Sequence, residues 1–109
     1  MDLEPEEPLT GDNYADVAFL AKSLSDENRL RILFSVSRGK KPVSVIVKEL
    51  HLSQPLVSHH LKELRHALLV QVERRGPFVY YEMADRDTIG ILKALSNLAT
   101  RLLAHRDTF

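Results

Sequence analysis

A chain of 109 residues without a single cysteine makes one domain with a thin core, and it excludes disulfides, zinc ribbons, iron–sulfur ligation and thiol catalysis. No apolar run approaches the ~18–20 residues that span a bilayer, and the opening MDLEPEEPLTGD is acidic where a signal or transit peptide is basic, so a soluble, cytoplasmic protein with no membrane partner is expected. The formal net charge is zero, which by itself names no partner.

Residues 1–12 hold two prolines, one glycine and little to bury, and are expected to form a flexible acidic tail; the ordered domain is expected over 13–105. From Asn13 the pattern is helical, with Tyr14, Val17, Ala18, Ala21 and Leu24 on one stripe. LSDENRLRIL restarts a helix. Ser25 is placed to cap it, Asp26 and Glu27 suit its first turn, Leu30, Leu33, Phe34 and Ser37 form its inner face, and Gly39 ends it. In KKPVSVIVKEL the spacing of Val43, Ile46, Val47 and Leu50 suits a two-turn helix. After a turn at HLS, Ser53 can cap the next helix, with Pro55 tolerated in its first turn and Val57, Leu61, Leu64 and Leu68 as its buried face. VQVERRGPFVYYEM changes to a strand period and predicts a β-hairpin with an Arg-Arg-Gly-Pro tip. From Asp85 a last helix carries Ile89, Leu92, Leu95, Leu98, Ala99 and Leu102 on one face, broadened by Ile91 and Leu103.

Two short helices joined by a three-residue turn, then a basic hairpin, predict a mainly α fold with a small β-hairpin: a winged helix-turn-helix in the order α-α-α-α-β-β-α. The second helix of such a pair enters the DNA major groove while the first crosses the backbone. Off the core face of residues 53–65 lie Gln54, Pro55, Ser58, His59, Lys62 and Arg65. Gln54 can pair with adenine, Ser58 and His59 can read bases or phosphates, and Lys62 suits a phosphate. Arg74 and Arg75 can reach a flanking minor groove or backbone. Charge is segregated in a way that fits a polyanion surface. Residues 1–21 carry Asp2, Glu4, Glu6, Glu7, Asp12 and Asp16 and no Lys or Arg; residues 38–75 carry Arg38, Lys40, Lys41, Lys48, Lys62, Arg65, Arg74 and Arg75 against Glu49, Glu63 and Glu73. Ordinary surface variation would give the same tally.

Three of the five histidines lie within residues 52–70. Neighbours on a helix point about 100° apart, so His59 and His60 cannot chelate one metal; His59 faces outward and His60 toward the core. His59, Glu63 and His66 share one face by spacing and could hold a metal, against the plainer reading in which His59 serves DNA and the other two are solvated. For catalysis the sequence offers no Gly-rich phosphate loop, no nucleophile elbow and no paired carboxylates beside a histidine, so an enzyme is not expected.

LSDENRLRIL, LSQPLVSHHLKELRHALLV and RRGPFVYYEM, in that order and spacing, resemble the ArsR/SmtB family of bacterial winged-helix transcriptional regulators over residues 14–104. The resemblance implies a homodimer built by the first and last helices, binding a near-palindromic operator and repressing until an inducer binds. It implies DNA contacts from Val43, Gln54, Pro55, Ser58 and His59, with Arg74 and Arg75 on the wing; Pro55 stands where small polar residues are common. One metal site of the family needs a cysteine pair absent from VSVIVKEL. The other aligns its first two ligands with Asp85 and Asp87, but its second two with Leu98 and Arg101, which bind no metal. His105 and Asp107 could replace them across a dimer. Such an oxygen and nitrogen set suits nickel, zinc or cobalt, and the length and lack of cysteine are similar to nickel-responsive members. Against this, Asp85 and Asp87 suit a plain helix start. The alternative in another class is a winged-helix protein-interaction module, paired with a co-regulator protein and without operator specificity of its own.

Overall fold

A computed structural model of the chain describes residues 7–106. Among them five helices and one antiparallel hairpin follow each other as α1 (Gly11–Ser23), α2 (Glu27–Ser37), α3 (Val43–Leu50), α4 (Gln54–His66), β1 (Val70–Arg75), β2 (Phe78–Met83) and α5 (Asp87–Leu103). This is the winged helix-turn-helix order expected. Residues 1–6 of the acidic tail lie outside the described residues, as does Asp107.

Several boundaries differ from the sequence reading, each for a local reason. The first helix begins at Gly11 rather than Asn13, because the Thr10 carbonyl already accepts the amides of Asn13 and Tyr14, at 2.9 and 3.3 Å. Residues 11 and 12 therefore belong to the helix and not to a tail. The cap of α2 is Asp26, whose side chain accepts the Arg29 amide at 3.0 Å; Ser25 instead turns back to the Lys22 carbonyl at 2.7 Å and closes α1. Both side chains can cap, but only Asp26 stands one residue before the first helical turn. The last helix starts at Asp87, two residues after Asp85, whose Oδ1 accepts the Asp87 amide at 2.9 Å.

The largest correction concerns Leu68, which is 81% exposed rather than buried. The Leu69 amide donates to the Leu64 carbonyl at 2.9 Å and the Leu68 amide to that of Arg65 at 3.0 Å. This is the crossed bond pair of a Schellman ending, which needs a left-handed residue, and Leu68 supplies it at φ 62°. The turn ejects Leu68 and brings Ala67 and Leu69 inside. A leucine there sits in a conformation that costs about 1–2 kcal/mol, whereas glycine loses about 0.5–1 kcal/mol of chain entropy. Leu68→Gly should therefore raise the unfolding free energy by about 0.5–1 kcal/mol, measured by urea denaturation; a loss would mean that something packs on the side chain.

The core lies between α2, α3, α4 and the root of the wing. It contains Ile32, Leu33 and Val36 of α2, Ile46 of α3, Val57, Leu61 and Leu64 of α4, then Ala67, Leu69, Val70 and Met83. From α5 only Leu92 is buried, and from α1 only Ser23. Leu30 and Phe34, expected on an inner face, are half-buried and pack on the rim of this core, as do Val43, Val47 and Leu50 of α3. The apolar stripes of α1 and α5 are largely uncovered: Tyr14, Val17, Phe19 and Leu20 on one, Ile91, Leu95, Leu98 and Leu102 on the other, are all exposed.

The wing pairs Val70 with Met83 at its root and Arg75 with Phe78 at its end, so its turn is Gly76-Pro77. Gly76 at φ 59° provides the positive φ that such two-residue hairpin turns demand, and proline fixes the next φ. Arg74 and Arg75 thus belong to β1 and not to the tip. The wing root is held by a bridge outside the hairpin, in which the Lys41 amide donates to the Tyr81 carbonyl at 3.0 Å and the Tyr81 amide to the Lys41 carbonyl at 2.8 Å.

Candidate nucleic-acid interface

The site grows from the start of α4. Ser53, in extended conformation, caps it by accepting the Leu56 amide at 3.3 Å, and Pro55 occupies the first turn where no intrahelical donor is required. The helix period then sorts its side chains. Val57, His60, Leu61 and Leu64 are buried, while Gln54, Pro55, Ser58, His59, Lys62 and Arg65 stand exposed on the other side. The six residues read as outward-facing are therefore brought together on one surface. Val43, at the first turn of α3, is half-buried against the core, so less of it is free for a ligand.

Charge around this surface is more selective than the composition implied. Glu49 gathers three partners: Lys41 Nζ donates to it at 2.9 Å, Arg38 Nη2 at 2.6 Å, and the Ser35 hydroxyl donates as well. The Lys41 hydrogen bond, followed by those of Ser35 and Arg38, pushes the Glu49 carboxyl down to about 2. Glu73 accepts from Lys40, which lowers its pKa, and lies 3.3 Å from Arg75 Nε. Arg75 also rests 5.7 Å from the centre of the Tyr80 ring. Four cations of the basic middle have no acidic partner among the described residues: Lys48, Lys62, Arg65 and Arg74. Composition counts Arg38, Lys40, Lys41 and Arg75 alongside them, but those four neutralise Glu49 and Glu73. The signal that could have separated them is the matching of acids and bases across elements, which spacing within one helix does not carry.

The metal candidates do not assemble within one chain. Among the described residues no group of three or more histidine, aspartate or glutamate side chains is placed to hold a metal ion. His66 leaves the His59–Glu63–His66 face to pack edge-on against Phe19, with ring centres 6.1 Å apart. Asp85 and Asp87 stand at the start of α5 and His105 beyond its end, roughly 25 Å away at 1.5 Å per residue. That set can meet only across two chains.

Sequence reading set Asp26 at the start of the second helix but missed that it and Arg29 meet His60. Arg29 Nε donates to Nδ1 of the buried His60 at 3.2 Å and its Nη1 to the Ser23 carbonyl at 3.2 Å. The residues from Asp26 to Arg29 are separated from His60 by the whole of α3 in sequence, so no periodicity links them.

A capped helix with an exposed polar face, a short helix crossing before it and a ribbon with a free arginine beside it define a winged helix-turn-helix DNA-binding protein. Relatives agree. Residues 26–72 match the profile described as bacterial regulatory protein, arsR family. The arsenical resistance operon repressor of Bacillus subtilis is 35% identical over 72 residues, 65% of this chain and 69% of the relative. The HTH-type transcriptional regulator NmtR of Mycobacterium tuberculosis is 32% identical over 88 residues, 81% of this chain and 73% of the relative. A homodimeric winged helix-turn-helix DNA-binding domain from Mycobacterium bovis superposes with a TM-score of 0.76 at 24% identity, over 94% of this chain and 95% of that one, and supports the fold. The chain belongs to the arsR family of bacterial regulatory proteins. It is a transcriptional regulator and not an enzyme. No helix among the described residues is long and apolar enough to cross a membrane.

Proposed function

We propose that the chain acts in the cytoplasm as a homodimer that binds a near-palindromic operator and represses transcription. The observation that carries this reading is the exposed face of α4, where Gln54, Ser58, His59 and Lys62 stand together with their helix seated firmly on the core. In the dimer, α1 and α5 of two copies cover each other's apolar stripes and set the two α4 helices about one turn of DNA apart, ~34 Å. Gln54, Ser58 and His59 read base edges. Lys62, Arg65 and Arg74, without acidic partners, take phosphates and give the affinity its salt dependence. Arg75 reaches DNA only by leaving Glu73 and Tyr80, so it contributes less than Arg74.

Ser58→Ala combined with His59→Ala should weaken binding to a duplex selected by the protein from a random pool by about 1–3 kcal/mol per lost base contact, with little change in stability since both side chains are exposed. Fluorescence anisotropy at fixed salt measures it. Unchanged affinity would remove α4 as the reading helix. A protein-interaction module in place of a DNA binder would show neither sequence preference nor a steep loss of affinity with salt.

Regulation by a metal of the nickel, zinc or cobalt class would require Asp85 and Asp87 of one chain to meet His105 of the other. Native mass spectrometry of the dimer with added nickel tests that arrangement directly.

A further inference from the structure

His60 lies on the recognition helix yet takes no part in the outer face. It is 4% exposed, and it is anchored from the second helix by the Arg29 Nε–H donated to its Nδ1 at 3.2 Å. An imidazole nitrogen that accepts a hydrogen bond carries no proton, so the ring is neutral with its hydrogen on Nε2. That Nε2 has no hydrogen-bond partner among the described residues. Its nearest acid, Asp26 Oδ1, stands 3.6 Å away, just beyond hydrogen-bond range. Arg29 in turn donates to the Ser23 carbonyl at the end of α1. One guanidinium therefore ties the last turn of α1 and the first turn of α2 to the inner face of α4.

We infer that this Arg29–His60 bond is a proton-sensitive latch that positions the recognition helix, and that protonating His60 releases it and weakens operator binding. The inference rests on the DNA-binding reading above.

A second proton would sit on Nδ1, where the Arg29 Nε–H now points, so donor would face donor and cation would face cation. The same proton strengthens the pull of Asp26 on Nε2, drawing the ring toward the α2 cap and away from Arg29. The site thus has two arrangements, and one proton chooses between them. The charged groups around the imidazole are Asp26 and Arg29 on α2, His59 and Glu63 on α4 itself, and Lys22 at the end of α1, which lines the same hollow as Asp26, Arg29 and Glu63. From α3 and β1, which also pack on α4, come the buried apolar side chains of Ile46 and Val70. Burial chiefly holds the His60 imidazole below its ordinary value of 6.5; Asp26 opposes this, Arg29 and His59 add to it, and Glu63 opposes it. The sign follows. The latched form favours the neutral ring, so binding is fully present above about pH 6.5 and is lost progressively as the pH falls below it.

A second histidine, His59, stands next to His60 but on the outer face of the same helix. The test must separate the two. His60→Asn keeps an acceptor near the Nδ1 position but cannot titrate. Affinity of the full-length protein for a duplex that it selects from a random-sequence pool is measured from about pH 5 to about pH 8 for wild type and for this variant. The ratio of their affinities isolates His60, because His59 is common to both. It should be independent of pH at the alkaline end and fall by about tenfold for each pH unit once His60 protonates. A ratio constant across the range overturns the latch. Arg29→Met removes the donor without touching His60; it should bind more weakly than wild type at about pH 8 and converge with it in acid. Equal binding at the alkaline end also overturns it. Should no DNA be bound at any pH, it is the operator reading that fails. Histidine NMR then decides the latch alone: the Arg29 Nε–H signal must lose its hydrogen-bonded position as the His60 ring titrates, and an Arg29 signal indifferent to that titration refutes it.

Discussion

Leu95→Glu is expected to leave the protein monomeric and to reduce operator affinity by about 10²–10⁴-fold, the avidity that two linked half-site contacts supply. Leu95 is 53% exposed in the single chain, so the substitution leaves the core untouched. It lines an apolar hollow of about 560 Å³ between α1 and α5, together with Val17, Leu20, Leu24 and Ile91. If a second copy covers this hollow, a two-fold axis presents the substitution twice. Each glutamate would then be buried without a partner, at a cost of several kcal/mol per ion. Sedimentation velocity reads the mass and anisotropy reads the affinity. A variant that remains dimeric would show that the hollow is not the interface, and the two losses must appear together if dimerisation and binding are linked.

Leu64→Ala is expected to damage the fold severely while leaving the outer face of α4 intact. Leu64 is fully buried, and its carbonyl anchors the turn that leads from α4 into the wing. It packs within the cluster that joins α2, α3 and the wing root. Truncating such a leucine costs about 2–5 kcal/mol, according to how far the surroundings collapse. Small domains hold only about 5–15 kcal/mol in total. The loss should appear as a drop in urea midpoint at unchanged slope. A cost below about 1 kcal/mol would mean that α4 is not seated as described.

The element order and the outward side of α4 were legible because both depend on local rules. Period separates Ser58, His59 and Lys62 from Val57, Leu61 and Leu64 whatever else the chain does. The exit from α4 was not legible, because continuing the helical period through Leu68 ignores a left-handed turn that the crossed bonds to Leu64 and Arg65 and the burial of Leu69 together reward. The wing was read correctly as a hairpin, yet its two-residue turn depends on pairing Arg75 with Phe78, and register is a property of two strands rather than one. The pairing of Glu49 with Lys41 and Arg38 and the contact between Arg29 and His60 join residues far apart in sequence. Only the folded chain brings them together. The stripes of α1 and α5 were legible as apolar faces from their spacing, and in one chain they stand exposed; the spacing records what must be covered without saying by what.

The bridge between Lys41 and Tyr81 has a mechanical consequence. It pins the base of the ribbon to Lys41, two residues before α3, while the end beyond Arg74 projects with no such support among the described residues. The wing is a cantilever: stiff where it leaves the body, compliant where it would meet a duplex. Backbone amides at Lys41 and Tyr81 should exchange with solvent far more slowly than those at Gly76 and Phe78. If the wing meets DNA as proposed, a lever of this kind would tolerate grooves of differing width without disturbing the helix beside it, leaving α4 to discriminate while the arm adapts.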